Sequence, residues 1–261
     1  MTAHAGPWPA GTPCWVDLMV GDLERTKAFY TELLSWDYAE PRPEYGGYLN
    51  ALVDGGGVAG LSPTMPGMED TAKTWTIYLA SDDITAVGTK IEGAGGHATM
   101  PPMDVGDQGR MGLWSDTTGA TFGVWQSGAH TGFDVYDTPG TVAWCDLMTG
   151  DATAACDFYA SVFDYSYTDA GMDDMTYVLF TPPGAQRPAG GIGQSSADDG
   201  GTPRSAWSVC FEVTDVDETT AKVPAAGGSV LQEPFDFQYG RLALAKGPDG
   251  EEFAIFTSSR A

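Results

Sequence analysis

The chain has 261 residues, 42% of them hydrophobic, and carries 36 acidic against 12 basic side chains for a formal charge of −24. That length suits two domains of about 130 residues, each able to bury a core of its own. The charge opposes phosphate backbones and anionic lipid, and there is neither a basic-then-apolar leader nor an apolar run of about 18 residues; the expectation is a cytoplasmic protein with no nucleic-acid or membrane partner.

Residues 1–10 read as a tail. From Trp15 the residues alternate: Val16, Leu18 and Val20 offer an aliphatic face for a helix to cover, while Trp15, Asp17 and Met19 form a mixed face that predicts a concave, partly polar cavity. Asp22 is the expected N-cap of a helix beginning at Leu23, with Thr26, Ala28, Phe29 and Tyr30 near one face. Residues 62–72 read as a connecting loop and candidate lid. Trp75, Ile77 and Leu79 then form a helix-facing core side of a strand, opposite Thr76 and Tyr78. A second helix over Asp83–Ile91 is stopped by Gly93 and Gly95-Gly96, and residues 127–139, rich in turn formers and without a period, read as a linker.

After the linker the chain repeats itself. Gly11-Thr12-Pro13-Cys14-Trp15-Val16-Asp17-Leu18-Met19 returns as Gly140-Thr141-Val142-Ala143-Trp144-Cys145-Asp146-Leu147-Met148, and Phe29-Tyr30 as Phe158-Tyr159, at an offset of 129. Trp75 returns as Trp207, Gly109-Arg110 as Gly240-Arg241 and Gly119 as Gly250, at offsets of 131 or 132, the drift that loop insertions produce. Helices are expected over Asp151–Phe163 and from Asp215, where Pro224 predicts an early end, with a second connecting loop and candidate lid at 193–204. The expected organisation is a tail at 1–10, a first domain at 11–127, a linker at 128–139 and a second domain at 140–261. Cys14, Cys145, Cys156 and Cys210 lack metal-type spacing and equivalent places in the two halves, so reduced thiols are expected.

Gly-Asp-Leu-x-Arg-x-x-x-Phe-Tyr-x-x-x-Leu after the first strand, Ala-Gly-Gly before a later one, and Ser-Asp-Thr-Thr-Gly-Ala or Gly-Pro-Asp-Gly-Glu before the last resemble the glyoxalase, bleomycin-resistance and extradiol-dioxygenase superfamily, the vicinal oxygen chelate fold. Gly-Thr-Pro-x-Trp-Val-Asp-Leu and Asp104-Val105-Gly106-Asp107-Gln108-Gly109-Arg110-Met111, with the tandem length, look like a two-domain actinobacterial subgroup described as glyoxalase-like or as hydroxylases. The resemblance implies an α+β fold of tandem domains, in which four strand-helix-strand-strand-strand units form two cupped mixed sheets. It also implies links to methylglyoxal handling, antibiotic resistance or antibiotic pathways.

Metal-dependent members of that superfamily place a His or Gln on the first strand, a His on the matching strand of the second unit and a Glu on the last strand. Here those positions fall on Trp15, Thr76 and Gly123, and in the second half on Trp144, Ser208 and Ala254. The three histidines of the chain, His4, His97 and His130, fall elsewhere. No metal is expected, and with no phosphate loop, dinucleotide fingerprint or serine elbow, no cofactor.

On the inward faces the expected residues are Trp15, Asp17, Thr76, Tyr78, Arg110, Trp114 and Trp125, and then Trp144, Asp146, Ser208, Arg241 and Phe256. The aromatics would either fill the interior or hold a planar ligand. Asp17 with Arg110, and Asp146 with Arg241, would be structural salt bridges or a general base and oxyanion clamp. The functional expectation is a metal-free small-molecule binding protein for antibiotics or secondary metabolites, monomer or homodimer, with a planar or aromatic ligand. The alternative is a metal-independent lyase, isomerase or hydroxylase in secondary metabolism or reactive-dicarbonyl detoxification. One cup alone being active is compatible with either.

Overall fold

Every described α-helix starts at an aspartate. The carboxylates of Asp22, Asp83, Asp151 and Asp215 accept hydrogen bonds from amides two or three residues on, satisfying donors that a helix N-terminus leaves free. Ser35 and Asp164 close the first and third helices in the left-handed conformation, again 129 residues apart.

The computed structural model describes residues 2–69, 73–171, 176–195 and 205–259. Its first half holds β1 (Thr2–Ala3), β2 (Pro13–Val20), α1 (Leu23–Leu34), β3 (Asp37–Tyr38), β4 (Leu49–Val53), β5 (Gly56–Pro63), β6 (Thr76–Ala80), α2 (Ile84–Gly93), β7 (His97–Val105), β8 (Gly109–Ser115), β9 (Thr121–Ser127) and β10 (Val135–Tyr136). The second half holds β11 (Val142–Thr149), α3 (Ala152–Phe163), β12 (Ser166–Asp169), β13 (Tyr177–Thr181), β14 (Gly190–Gln194), β15 (Ala206–Glu212), α4 (Val216–Lys222), β16 (Ser229–Phe237), β17 (Gly240–Lys246) and β18 (Glu252–Ser258). The early end of α4, two residues before Pro224, matches the sequence reading. No described helix is long and apolar enough to cross a membrane.

Two eight-stranded mixed sheets result, in the orders β3-β4-β5-β2-β6-β9-β8-β7 and β12-β13-β14-β11-β15-β18-β17-β16. In each, the first strand of one unit pairs antiparallel with the first strand of the next, and parallel with the last strand of its own unit. This is the expected α+β architecture of four strand-helix-strand-strand-strand units in two sheets. Val16, Leu18 and Val20 are fully buried beneath helices.

The helices lie between the sheets, so the convex faces pack toward each other and the cups open away from one another. Tyr30 of α1 meets Phe211 and Phe253 of the second half, and Tyr159 of α3 meets Phe122 of the first. The exchange is reciprocal in its polar contacts as well. Trp36 donates to the Gly140 carbonyl (2.7 Å) and Tyr165, at the matching place, donates to that of Gly11.

Two buried networks cross this interface. Trp75 donates to the Tyr30 hydroxyl, which donates to Glu251 (3.0 Å); Trp207 donates to the Tyr159 hydroxyl, which donates to Asp116 (3.1 Å). The carboxylates are not equivalent in sequence: Asp116 corresponds to Gly247, and Glu251 to Ala120. A Cβ at Gly247 would lie 1.9 Å from the Glu251 carboxylate, so each half supplies one acid at one turn position and leaves the other small. Both acids also accept turn amides, which meets the requirement that buried charge be bonded.

The segments flanking the first domain are both engaged. The tail pairs through β1 with β10, and the linker bonds the first sheet at Cys14 and Gly57. Of the candidate lids, residues 70–72 and 196–204 lie outside the described residues. All four cysteines are free, Cys14, Cys145 and Cys210 being buried.

Candidate functional site

Strand alternation puts Trp15, Asp17, Thr76, Tyr78 and Trp125 on the concave face of the first sheet, and Trp144, Asp146, Ser208 and Phe256 on that of the second. In the first cup the Trp15 indole donates to the Tyr48 hydroxyl (2.7 Å), and Tyr78 and Thr76 hydrogen-bond Asp17. In the second, Trp144 donates both to Asp146 Oδ1 and to the Tyr177 hydroxyl, 2.9 Å each, and Tyr177 donates to the same Asp146 oxygen. Burial raises the acids to about 7 at Asp17 and about 6 at Asp146, against the lowering by these donors.

Tyr48 and Tyr177 escaped the sequence reading, although they stand 129 residues apart like Trp15 and Trp144. Their companions are glycines on the neighbouring strand. A Cβ on Gly60 would sit 1.7 Å from the Tyr48 hydroxyl and one on Gly191 1.9 Å from that of Tyr177. The paired Tyr and Gly repeats were the available signal.

Arg110, Arg241 and Trp114 are corrections. Along β8 and β17 the concave positions belong to Met111 and Leu113 and to Leu242 and Leu244, one residue out of phase with the expected face. Arg110 bonds Asp104 (2.9 Å) and Thr85 of α2; Arg241 bonds Asp217 of α4 and Asp236. Neither arginine meets the aspartate assigned to it, and the base-and-clamp pairs do not form. Trp114 is buried under α2, where Gly88 makes room for its ring: a Cβ there would lie 3.1 Å from it.

The first cup is covered at its Trp15 and Trp125 end by the chain itself. His130 stands edge-on to both rings, at centroid distances of 4.4 and 5.4 Å, and its carbonyl accepts from Trp125. Phe133 lies 5.6 Å from Trp15, and its amide bonds the Cys14 carbonyl. Asp134 exchanges hydrogen bonds with Gly57, and at the other end residues 128–130 bond Asp107 and Gln108 in the β7–β8 turn. Trp8 of the tail packs on Phe133. Burial lowers His130 to about 4, so the covering imidazole is neutral. Trp15 is 3% exposed and Trp125 7%. In the second cup Trp144 and Phe256 remain half-buried.

The metal implied by the resemblance does not fit these donors. Among the described residues no three His, Cys, Asp or Glu side chains converge, and each cup offers one carboxylate amid indole and hydroxyl groups. A shallow depression of about 310 Å³, lined by Ala28, Glu32, Lys222, Ala225 and Ala226, lies between α1 and α4 outside both cups and brings together no comparable chemistry.

The family profile of the Glyoxalase/Bleomycin resistance protein/Dioxygenase superfamily matches residues 13–124 and 141–255, one match per half. The chain is 37% identical over 250 residues to "Putative glyoxylase CFP32" of Mycobacterium tuberculosis (strain CDC 1551 / Oshkosh), covering 94% of each chain. It is 34% identical over 258 residues to "Anthracycline biosynthesis protein DnrV" of Streptomyces peucetius, covering 94% of this chain and 92% of that one. In fold it is similar to the crystal structure of 2,2',3-trihydroxybiphenyl 1,2-dioxygenase from Sphingomonas wittichii strain RW1, with a TM-score of 0.65 at 14% identity over 95% of this chain and 91% of that one. With both sheets, both repeats and nearly the whole length accounted for, the chain belongs to the glyoxalase, bleomycin-resistance protein and dioxygenase superfamily.

Proposed function

We propose that the protein binds a planar or aromatic small molecule without a metal, and does so in its second cup. The observation that carries this reading is the half-buried Trp144, hydrogen-bonded to Asp146, with the half-buried Phe256 on the same concave face, at positions whose first-cup counterparts are covered by the protein's own linker. Accessible rings around one hydrogen-bonding carboxylate are what a planar ligand requires. The relative named for anthracycline biosynthesis supports a role in antibiotic or secondary metabolism. The test pairs elemental mass spectrometry with quenching of tryptophan fluorescence by a hydroxyanthraquinone. Metal-free protein that binds one equivalent of the probe, and loses it on Trp144→Ala, supports the proposal. Stoichiometric metal with chelator-sensitive turnover of a hemithioacetal overturns it.

A second reading is a metal-independent lyase, isomerase or hydroxylase, and the position of Asp146 near pH 6 favours it, since a carboxylate there suits general-base work. Its test is deuterium exchange into hydroxyacetone in heavy water. Exchange that disappears in Asp146→Asn supports proton abstraction; no exchange above buffer removes it.

A further inference from the structure

Asp146 combines three features. Its two protein donors, the Trp144 indole and the Tyr177 hydroxyl, converge on one oxygen, Oδ1. Donors aimed at a carboxyl group favour its charged form, because a neutral acid would want an acceptor for its own proton. The second oxygen has no hydrogen bond among the described residues and stands on the concave face of a strand that is still partly open to solvent.

The second feature is that no counter-ion pairs with Asp146 among the described residues. In the second half the described basic side chains are engaged elsewhere: Arg187 with Asp137, Lys222 with Glu218, Arg241 with Asp217 and Asp236, and Lys246 with Glu252. Of these, the Lys246–Glu252 pair is on the concave face, on β17 and β18, where Lys246 is held by Glu252 and not by Asp146. A half-buried carboxylate with donors but no cation among the described residues is still incompletely compensated there for the water it lost.

The third is what surrounds it. Trp144 is partly open and hydrogen-bonds the carboxylate, and on the same concave face Phe256 packs against Phe237 at 5.9 Å, so aromatic surface shares the cup with Asp146. Aromatic faces attract organic cations, and a net charge of −24 draws cations and repels anions.

We infer that the second cup selects an organic ammonium ion: a flat or aromatic body lying against Trp144 and Phe256, with a protonated amine meeting the free oxygen of Asp146. This inference rests on the reading of the second cup as a ligand site and narrows its ligand class. A neutral hydroxyl could also bond the free oxygen, but it would not neutralise the charge, so the amine is the better match.

The test compares 1-naphthylmethylamine with 1-naphthylmethanol, which share a ring and differ in charge, by calorimetry on the full chain at pH 7.5 and low salt. The amine is expected to bind at least tenfold more tightly than the alcohol. Asp146→Asn, which keeps an oxygen for Trp144 and Tyr177 to bond, is expected to abolish that preference by lowering amine affinity at least tenfold, to the level of the alcohol. Asp17→Asn, in the cup whose rings are covered, is expected to leave it intact. Equal binding of both probes, lost on Trp144→Ala, would overturn the selection for cations and leave the aromatic cup standing. A preference that survives Asp146→Asn and vanishes in Asp17→Asn would overturn the assignment to the second cup. Binding of neither probe would overturn the selection and the cup reading together.

Discussion

The two cups are built from the same strands, yet their matching tryptophans are used differently. Trp15 lies beneath His130 and Phe133, while Trp144, held by the same kind of tyrosine hydroxyl, is left half-buried. The difference comes from a segment outside the repeat. Residues 128–136 run from the β7–β8 turn to the edge of β5 and take up ring surface that a ligand would otherwise meet. A duplicated fold can therefore commit one copy of a repeated Trp-x-Asp strand to packing and leave the other half-buried.

The sharpest test of this comparison is to remove each tryptophan. Trp15→Ala deletes a buried ring with its hydrogen bond and is expected to cost about 3–5 kcal/mol of stability in urea unfolding. Trp144→Ala is expected to cost less than about 2 kcal/mol, because the ring was partly wet, and to weaken planar-ligand binding at least tenfold. Equal losses of stability would remove the asymmetry.

Gly132 addresses the cover itself. It has φ +108°, and a Cβ there would lie 2.4 Å from the Cys14 carbonyl oxygen. Gly132→Ala is expected to cost roughly 2–3 kcal/mol and to speed hydrogen exchange at the Phe133 amide, which bonds that carbonyl. Unchanged exchange would mean that the segment is held by its side chains alone.

The acids of the cups give a pH signature. Asp146 is raised from 3.8 to about 6, so the folded state holds its proton more tightly than the unfolded state does. Ionisation thus costs folding stability as pH rises from about 4 to 6, with the full cost present above that window and none below it. Tyr177 and Cys210, the titratable groups facing it, are themselves raised and stay neutral there. Asp146→Asn is therefore expected to stabilise the protein at pH 8 by roughly 1–2 kcal/mol, allowing for water access, with no gain at pH 3.5. A gain of equal size at both pH values would assign the effect to packing. Asp17→Asn is expected to behave alike with the window reaching about pH 7.

The smallest effect is expected at His130. Its neutral ring makes edge contacts with Trp15 and Trp125, and His130→Ala should cost about 1 kcal/mol while increasing acrylamide quenching of tryptophan fluorescence. Unchanged quenching would show that Phe133 and the backbone suffice as cover.

The carboxylates between the halves teach a related lesson. Asp116 and Glu251 stand at different places in the repeat, yet each receives a tyrosine hydroxyl that has crossed the interface. An aligned pair of residues would not reveal this, because equivalence is kept in space and lost in sequence.

By itself the sequence determined the duplication, the four aspartate-capped helices, the aliphatic face of β2 and the family, since each rests on local spacing or on motifs repeated at fixed intervals. It also set Trp15, Asp17, Thr76 and Tyr78 on the inner face, because a strand anchored by its own hydrophobic pattern has only one phase. On β8 that pattern is weak: Arg110, Met111, Gly112, Leu113 and Trp114 alternate in either phase, and the choice fell to Gly88 of α2, which accepts the Trp114 ring. The covered first cup, the open second one and the tyrosine-bonded acids were likewise decided by tertiary structure, for they depend on residues tens of positions apart whose meeting is set by how the sheets curl and where the linker crosses them.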